Sequence, residues 1–400
     1  MNRIYQAILS DHFRQGREAL FLSGPRQVGK TTIAINFSKN YDISAYLNWD
    51  DINDRTNILS NNISLISTKH LNNPLIIFDE IHKFNNWKNY LKGLIDKHKD
   101  NVDFLITGSS RLDIYRRGGD SMMGRYFLYR IHPLSVNELL RQQIPEKEVQ
   151  MPKKINDDVW QQLLKFGGFP RPFLANNERI YNRWVNQRLE RLFHEDLRDI
   201  LKSHDIAKIE VLANLLQQQV GQQINYTSLS KKVQVSDQTI RSWLTTLEAM
   251  YYCFTIKPYS NNVARSLLKD PKVYSWDWST IKDKGCAYEN FIASHLLKAV
   301  NFWQDMGYGQ YGLYYLRDKD QKEVDFLVTK NHKPWMMVEV KSSPKEAISS
   351  NLMHFQKQLN ADHVFQVAIE AEYIEADCFA SVHSGTPIIV PAKTLLSQLI

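Results

Sequence analysis

ALFLSGPRQVGKTTIAINFSK, residues 19–39, reads as a short apolar strand ending at Ser23, a glycine-containing loop, and a helix beginning near Lys30. Gly24, Gly29, Lys30 and Thr31 satisfy the spacing GxxxxGK[ST]. The order has a physical reason. Loop amides wrap phosphates, the helix N-terminus favours their negative charge, Lys30 reaches the β- and γ-phosphates, and Thr31 ligates magnesium. Thr32, in the same helical turn, completes the nucleotide-binding set. A chance match would lack the strand before the loop and the helix after it.

Working outward, Leu75-Ile76-Ile77-Phe78 is a continuous apolar run, as a buried parallel strand should be, and it stops at Asp79-Glu80. Carboxylates at a strand's carboxyl end face the ligand crevice of an α/β sheet. Asp79 is therefore expected to hold the magnesium and Glu80 to polarise the attacking water, the division of labour phosphoryl transfer needs. The plainer alternative is that the pair caps the following helix. A third strand, Asp103–Thr107, runs into Gly108-Ser109-Ser110, and Ser109 is a candidate contact to the γ-phosphate. Beyond it, Arg125 follows Gly124 near the end of this region, where an oligomeric ATPase would supply a charge to its neighbour's transition state. A surface salt bridge would equally explain one arginine there.

Taken together, GPRQVGKTT, FDEIHKFNNWKNYLKGLID, LITGSSRLD, MGRYFLYRIHPLSVNEL and GGFPRPFL resemble the bacterial and archaeal AAA+ proteins that combine this ATPase with a C-terminal restriction-endonuclease-like domain. The resemblance extends through most of the chain. It implies that Arg125 is an arginine finger acting across a subunit boundary, hence a homo-oligomer, such as a ring or hexamer. The order of parts also resembles the multidomain signalling ATPases, so an ATP-driven switch stands beside a motor.

The 400 residues exceed what one hydrophobic core usually serves. The composition is that of a folded protein, 43% hydrophobic and 23% charged, with no Gly/Ser- or Pro-rich run that would mark a disordered linker. The formal charge of +7 is compatible with a polyanionic partner without requiring one. Cys253, Cys286 and Cys378 lack the paired spacing of a zinc site or a disulfide framework and read as buried free thiols. With no signal-peptide core and no apolar run long enough to span a bilayer, the expectation is a cytoplasmic protein without a membrane partner.

Residues 150–205 alternate apolar and basic positions in helical fashion, interrupted at Gly167-Gly168-Phe169-Pro170, and read as a helical lid. In TSLSKKVQVSDQTIRSWLTTLEAM a helix starts at Ser228, breaks at Val235-Ser236, and gives way to a second helix capped by Ser236 with Ile240, Trp243, Leu244 and Leu247 on one face. That is helix-turn-helix spacing. In a DNA reader the second helix would present Asp237, Gln238 and Arg241 to the major groove while Lys231 and Lys232 approach phosphates. A plain packing module is the alternative.

Near the C-terminus, Lys322–Val328 and Trp335–Lys341 both read as strands, joined by TKNHKP into a hairpin. If the turn centres near His332, residues whose numbers share one sum lie opposite each other. Asp325 then faces Glu339 and Glu323 faces Lys341, all on one sheet face. Opposed carboxylates destabilise an ordinary sheet unless a cation lies between them.

This arrangement resembles the PD-(D/E)XK nuclease site. Asp325 takes the PD position, although Val324 stands where the family has proline, and Glu339-Val340-Lys341 is the ExK. Glu289, in YENFIASHLLKAV, sits where the family has an upstream helical carboxylate. The resemblance implies that Glu289, Asp325 and Glu339 hold magnesium or manganese and that Lys341 positions or activates water. The plainer reading is a charged hairpin with a Glu323–Lys341 ion pair.

The expected fold is α/β: a P-loop AAA+ core (1–145), a helical lid (146–210), a winged-helix-like module (211–284), and a restriction-endonuclease-like α/β domain (285–400). The expected function is an ATP-hydrolysing AAA+ protein that binds DNA and cleaves it, with ATP and magnesium as cofactors. A DNA-binding or signalling scaffold that does not cut is the alternative.

Overall fold

The computed structural model describes residues 1–16, 18–61, 63, 73–108, 122–197, 203–260 and 270–400. These fall into two compact units. The first comprises Met1–His132, Arg141–Ile144 and Ala249–Tyr251; the second comprises Pro133–Leu140, Pro145–Glu248 and Tyr252–Ile400.

The first unit is built on a parallel sheet of β1 (Ala19–Ser23), β2 (Ser44–Asn48), β3 (Leu75–Asp79), β4 (Asp103–Gly108) and β5 (Tyr126–Arg130), in the order β2-β3-β4-β1-β5. The inner strands β1, β3 and β4 are buried at every residue, which is why they read as unbroken apolar runs rather than alternating ones. The edge strands β2 and β5 are only partly covered. Helices Ile4–Gln15, Lys30–Ser38, Ile52–Leu59 and Trp87–His98 accompany the sheet. Ile76, Phe78, Phe104, Ile106, Trp87 and Leu91 lie at the heart of the core. The order matters for function because β4 lies between β1 and β3, so the loop leaving β1 and the carboxylates leaving β3 open onto one carboxyl edge with the end of β4 between them.

The second unit holds a seven-stranded mixed sheet. Its strands are β6 (Cys253–Pro258), β7 (Lys272–Ser275), β8 (Tyr311–Arg317), β9 (Glu323–Lys330), β10 (Lys333–Lys341), β11 (His363–Ala368) and β12 (Pro387–Pro391), ordered β12-β11-β10-β9-β8-β6-β7. The 22-residue helix Lys284–Asp305, started by the Asp283 side chain accepting the Cys286 amide, packs on β8, β9 and β10. Helix Ser350–Leu359 packs on the same sheet through Leu352 and Phe355.

The helix-turn-helix segment forms as two helices, Tyr226–Val233 and Asp237–Ala249. The first starts two residues before the Ser228 expected, because the Asn225 side chain caps it by accepting the Ser228 amide. Ser236 accepts the Thr239 amide at 3.1 Å, as its capping role requires. β6 and β7, which follow these helices in the chain, pair antiparallel with each other and join the larger sheet through β8, with Lys257 opposite Tyr314. Gly168 explains the break at Gly167-Gly168, since a Cβ there would lie 2.6 Å from the Trp278 ring and 2.7 Å from the Leu134 carbonyl. Of the three free thiols, Cys253 and Cys378 are buried, while Cys286 is partly accessible in the first turn of its helix.

The second unit also buries an ion pair completely. Lys298 Nζ lies 2.5 Å from Glu138 and donates to the Pro133 carbonyl at 3.1 Å. Removing one partner strands a charge away from water. Lys298→Met should therefore cost about 3–5 kcal/mol of unfolding free energy, and most of it should return in Lys298→Met/Glu138→Leu. Urea unfolding of both variants measures this, and an unaltered single variant would refute it.

Candidate functional site

At the carboxyl edge of the first sheet, Gly24 turns the chain out of β1 with φ of +152°, and a Cβ there would meet the Ile131 carbonyl oxygen at 2.3 Å. Any other residue would push the loop off β5. Gly29, at φ 105°, stands as N-cap of helix Lys30–Ser38, and the amides of this helix start face the crevice end of the sheet. Lys30 is buried and folds back on its own loop, donating to the carbonyls of Gly24 at 2.7 Å and Pro25 at 2.8 Å. Burial lowers its pKa to about 8, against the pull of Glu80 and Asp79.

Asp79 is encircled by hydroxyls. Thr31 donates to its Oδ2 at 2.8 Å and Tyr46 to the same oxygen at 2.6 Å, while Thr107 at the end of β4 donates to Oδ1. Thr31 and Asp79 are thus brought together as the two expected magnesium residues. Glu80 follows in a left-handed conformation, φ 55°, and its Oε2 is buried without a hydrogen bond, 3.6 Å from His82 Nε2 and 3.7 Å from Lys83 Nζ. Burial raises the Glu80 pKa, opposed by Lys30 and Lys83. Ser109 lies outside the described residues. The β4 hydroxyl that meets the Asp79 carboxylate is Thr107, two residues before Ser109 and 28 residues from Asp79 in sequence; Tyr46 is the other hydroxyl the sequence reading missed.

Arg125 lies at the opposite end of the sheet. Its carbonyl accepts the Ala19 amide at the start of β1, roughly 16 Å of strand from the phosphate loop, so it is not brought to the ATP site of its own unit. Its guanidinium makes a two-point contact with Asp96, at 2.6 and 3.1 Å.

In the second unit, Lys231, Lys232, Asp237, Gln238 and Arg241 are all exposed. Arg241 also stacks on the Tyr226 ring at 3.6 Å, which ties the two helices together.

The hairpin of β9 and β10 turns at Asn331-His332, both at positive φ, as a two-residue reverse turn requires. Its paired numbers sum to 663 at Lys330 and Lys333. A bulge between Pro334 and Met336 moves the sum to 664, at which Val338 faces Phe326. Past that pair the ladder ends: the Asp325 side chain itself accepts the Val340 amide, at 2.7 Å. Glu339 and Lys341 meet in their own strand at 3.2 Å. The expected Glu323–Lys341 pair does not form, because Glu323 is bound by Lys272 at 2.6 Å and Arg317 at 2.8 Å.

Lys272, on β7, had not been singled out. It is almost wholly buried, bonds Glu289 as well at 3.3 Å, and shares that carboxylate with the Tyr274 hydroxyl at 2.7 Å. Burial, then the Asp325 charge, raise the pKa values of both Glu289 and Glu339; Lys272 and Lys341 respectively oppose the rise. Glu339 Oε2 is buried with no hydrogen-bond partner. Among the described residues, no three His, Cys, Asp or Glu side chains gather closely enough to hold a metal unaided. No helix among them is long and apolar enough to cross a membrane.

Residues 16–140 match the family model described as an AAA domain. The N-terminal part of the chain carries an AAA-type P-loop ATPase domain. Residues 157–282 and 284–382 match two further models, each described as a domain of unknown function. Uncharacterized proteins of Methanocaldococcus jannaschii (24% identical, 85% of this chain and 79% of that one) and Haemophilus influenzae (25%, 75% and 72%) are similar along most of their length. Among solved structures, a Walker-type ATPase of Pyrococcus abyssi (12% identical, TM-score 0.39, 68% and 92% covered) and an Aeropyrum pernix ORC1 protein in complex with DNA (12%, 0.34, 73% and 91%) are similar at low scores.

Lys30 generates a pH prediction. Its folded-state value lies below the ordinary 10.5, so between about 8 and 10.5 the unfolded chain binds more protons, and this lysine makes the protein more stable as pH rises through that window. Phosphate binding needs the opposite, protonated state. Affinity for a non-hydrolysable ATP analogue should therefore fall roughly tenfold between pH 7.5 and 9, as expected for a group losing its proton near 8. Calorimetric titration across that range checks it; a flat affinity up to pH 9 would count against burial as the controlling factor.

Proposed function

We propose that the chain hydrolyses ATP as an oligomeric AAA+ protein, binds DNA, and cleaves it at a metal-dependent site formed by Asp325, Glu339, Lys341 and Glu289. The observation that carries the second activity is the Glu339 Oε2 atom, buried without a partner beside Lys341 and close to the Asp325 charge. A buried carboxylate oxygen with nothing to accept from is costly unless a cation or donor arrives. Magnesium suits oxygen ligands and keeps several waters, so two carboxylates with water and a phosphate oxygen suffice where no three-carboxylate cage exists. Asp325 and Glu339 are its holders. Glu289 is the third expected ligand, and it must first give up bonds to Lys272 and Tyr274. Bound there, the ion would supply charge to an attacking water and to the scissile phosphate. Lys341 holds the water and balances charge on the phosphate.

At the ATP site, Lys30 exchanges its two carbonyl acceptors for phosphate oxygens that gather at Gly24, Gly29, Thr32 and the helix start. Thr31 and Asp79 hold the magnesium, with Thr107 and Tyr46 fixing the Asp79 carboxylate. Glu80, made more basic than an exposed carboxylate by burial, takes the proton of the attacking water. Arg125, remote from its own site, is suited only to a neighbour's. DNA contacts fall to Lys231, Lys232, Gln238 and Arg241, which are all exposed, with Arg241 giving up its place on the Tyr226 ring to reach a groove.

A second reading has its own observation. The two bonds that Lys272 makes leave Glu289 and Glu323 already compensated, which favours a DNA-binding or signalling scaffold that does not cut.

One experiment tests the ATP site and a second separates these readings. Glu80→Gln should bind ATP as the unaltered protein does and lose turnover at least a hundredfold, measured by phosphate release; normal turnover would remove Glu80 from the mechanism. Incubation with linear, forked and junction DNA, with and without magnesium, should show metal-dependent cutting that Asp325→Ala and Glu339→Ala abolish while ATPase activity survives. No cleavage of any form by the unaltered protein would leave the scaffold.

A further inference from the structure

The carboxylate cluster of the second unit contains a cation of its own. Glu289 comes from the long helix Lys284–Asp305, Glu323 and Asp325 from β9, and Glu339 from β10. Lys272 comes from β7, the far edge of the sheet, within the segment 157–282 that matches a different family model from the one covering the carboxylates. Its side chain is 3% exposed, deeper than any carboxylate it meets. The hydrogen bonds are specific: Nζ reaches Glu323 at 2.6 Å and Glu289 at 3.3 Å, and Tyr274, two residues along the same strand, holds Glu289 at 2.7 Å. Burial lowers the Lys272 pKa, but Glu289, Asp325 and Glu323 together hold it above the ordinary value, so the ammonium is charged in this setting.

An ammonium and a divalent ion offer carboxylates the same thing, concentrated positive charge. Where one is built in and engaged, the other must displace it or work without the ligands it holds. This accounts for two observations at once. The metal-ligating triad the resemblance implies is split, with Glu289 bound to Lys272; and Glu339, whose buried Oε2 has no hydrogen-bond partner, is one of the two described carboxylates of the cluster, with Asp325, that Lys272 does not bond.

We infer that Lys272 is a resident counter-ion of this cluster and a positioning residue for Glu289 and Glu323, and that a divalent cation takes Glu289 as a ligand only in competition with its ammonium. The inference rests on the metal site proposed above, yet it concerns ion binding rather than cutting. Lys272 regulates the site by setting how much metal is needed to draw Glu289 into it. Arg317 shares Glu323, so release of Lys272 does not leave that carboxylate alone.

The test uses the full chain, because Lys272 and its partners belong to different matched segments. Thermal unfolding and calorimetry are followed with manganese alone, without DNA or ATP, for the unaltered protein, Lys272→Met and Lys272→Arg. Lys272→Met should melt lower without metal, gain a larger upward shift with manganese, and bind it at least tenfold more tightly; Lys272→Arg should bind manganese as the unaltered protein does. A lysine with only a structural role predicts a lower melting temperature and an unchanged manganese dissociation constant, and that result would overturn the inference. So would a Lys272→Met protein that stays unfolded at every manganese concentration, since a competing ion must be able to replace the ammonium. Cleavage assays fall on a separate axis. Tighter manganese binding by Lys272→Met without DNA cutting would uphold Lys272 and remove the nuclease; metal-dependent cutting with unaltered affinity in Lys272→Met would do the reverse.

Discussion

A charge taken out of water must be met by another charge or by several aimed hydrogen bonds, and both units are organised around places where the chain obeys that demand. In the second unit carboxylates from one helix and two strands lie near one another, and Lys272, with Arg317 and Lys341, supplies the positive charge that offsets them. In the first unit the solution is different. Asp79 is met by three hydroxyls from three separate elements, and Lys30 by two loop carbonyls. Neutral donors and acceptors hold these groups in place while leaving their charge uncancelled, as the ATP site proposed for this unit requires.

Strand order carries the rest. Placing β4 between β1 and β3 puts Thr107 beside Asp79, and placing β5 beyond β1 brings the Ile131 carbonyl against Gly24. In the larger sheet, β9 and β10 pair as far as Val338 and Phe326 and then part, so the Asp325 carboxylate takes a backbone amide that a regular ladder would have given to a carbonyl. That opening leaves the Asp325 carboxylate bonded to the Val340 amide beside Glu339. It also brings β7 into play, because the seven-stranded sheet carries the edge strands β6 and β7 back toward Glu289 and Glu323.

Much of the hairpin was legible from spacing alone. The sum of 664 for opposed residues was expected from a turn near His332 and appears from Met336 to Val338, where a bulge corrects the 663 set by the turn itself, but the pairing stops before Asp325 and Glu339. The phosphate loop and the β3 carboxylates were legible for the same kind of reason: each is a local pattern, apolar run followed by polar terminus. The Glu323–Lys341 pair was not formed, since facing positions on neighbouring strands are only one of the contacts a long side chain can choose among, and Glu323 found Lys272 and Arg317 instead.

By itself the amino-acid sequence determined the AAA-type phosphate loop, the strand ending in Asp79-Glu80, the two helices around Ser236, and the hairpin bearing Asp325, Glu339 and Lys341, because each depends on residues within a few turns or one hairpin of each other. Only the tertiary structure decided that Thr107 and Tyr46 hold Asp79, that Arg125 lies a strand's length from its own ATP loop, and that Lys272 occupies the carboxylate cluster. Asp79 is joined to Thr107 and Tyr46 across 28 and 33 positions and Lys272 to Glu323 across 51, while the Arg125–Ala19 contact spans more still, all through the order of strands in a sheet. Hydrophobic periodicity tells each strand which faces to bury, but it carries no record of which strand will lie beside it.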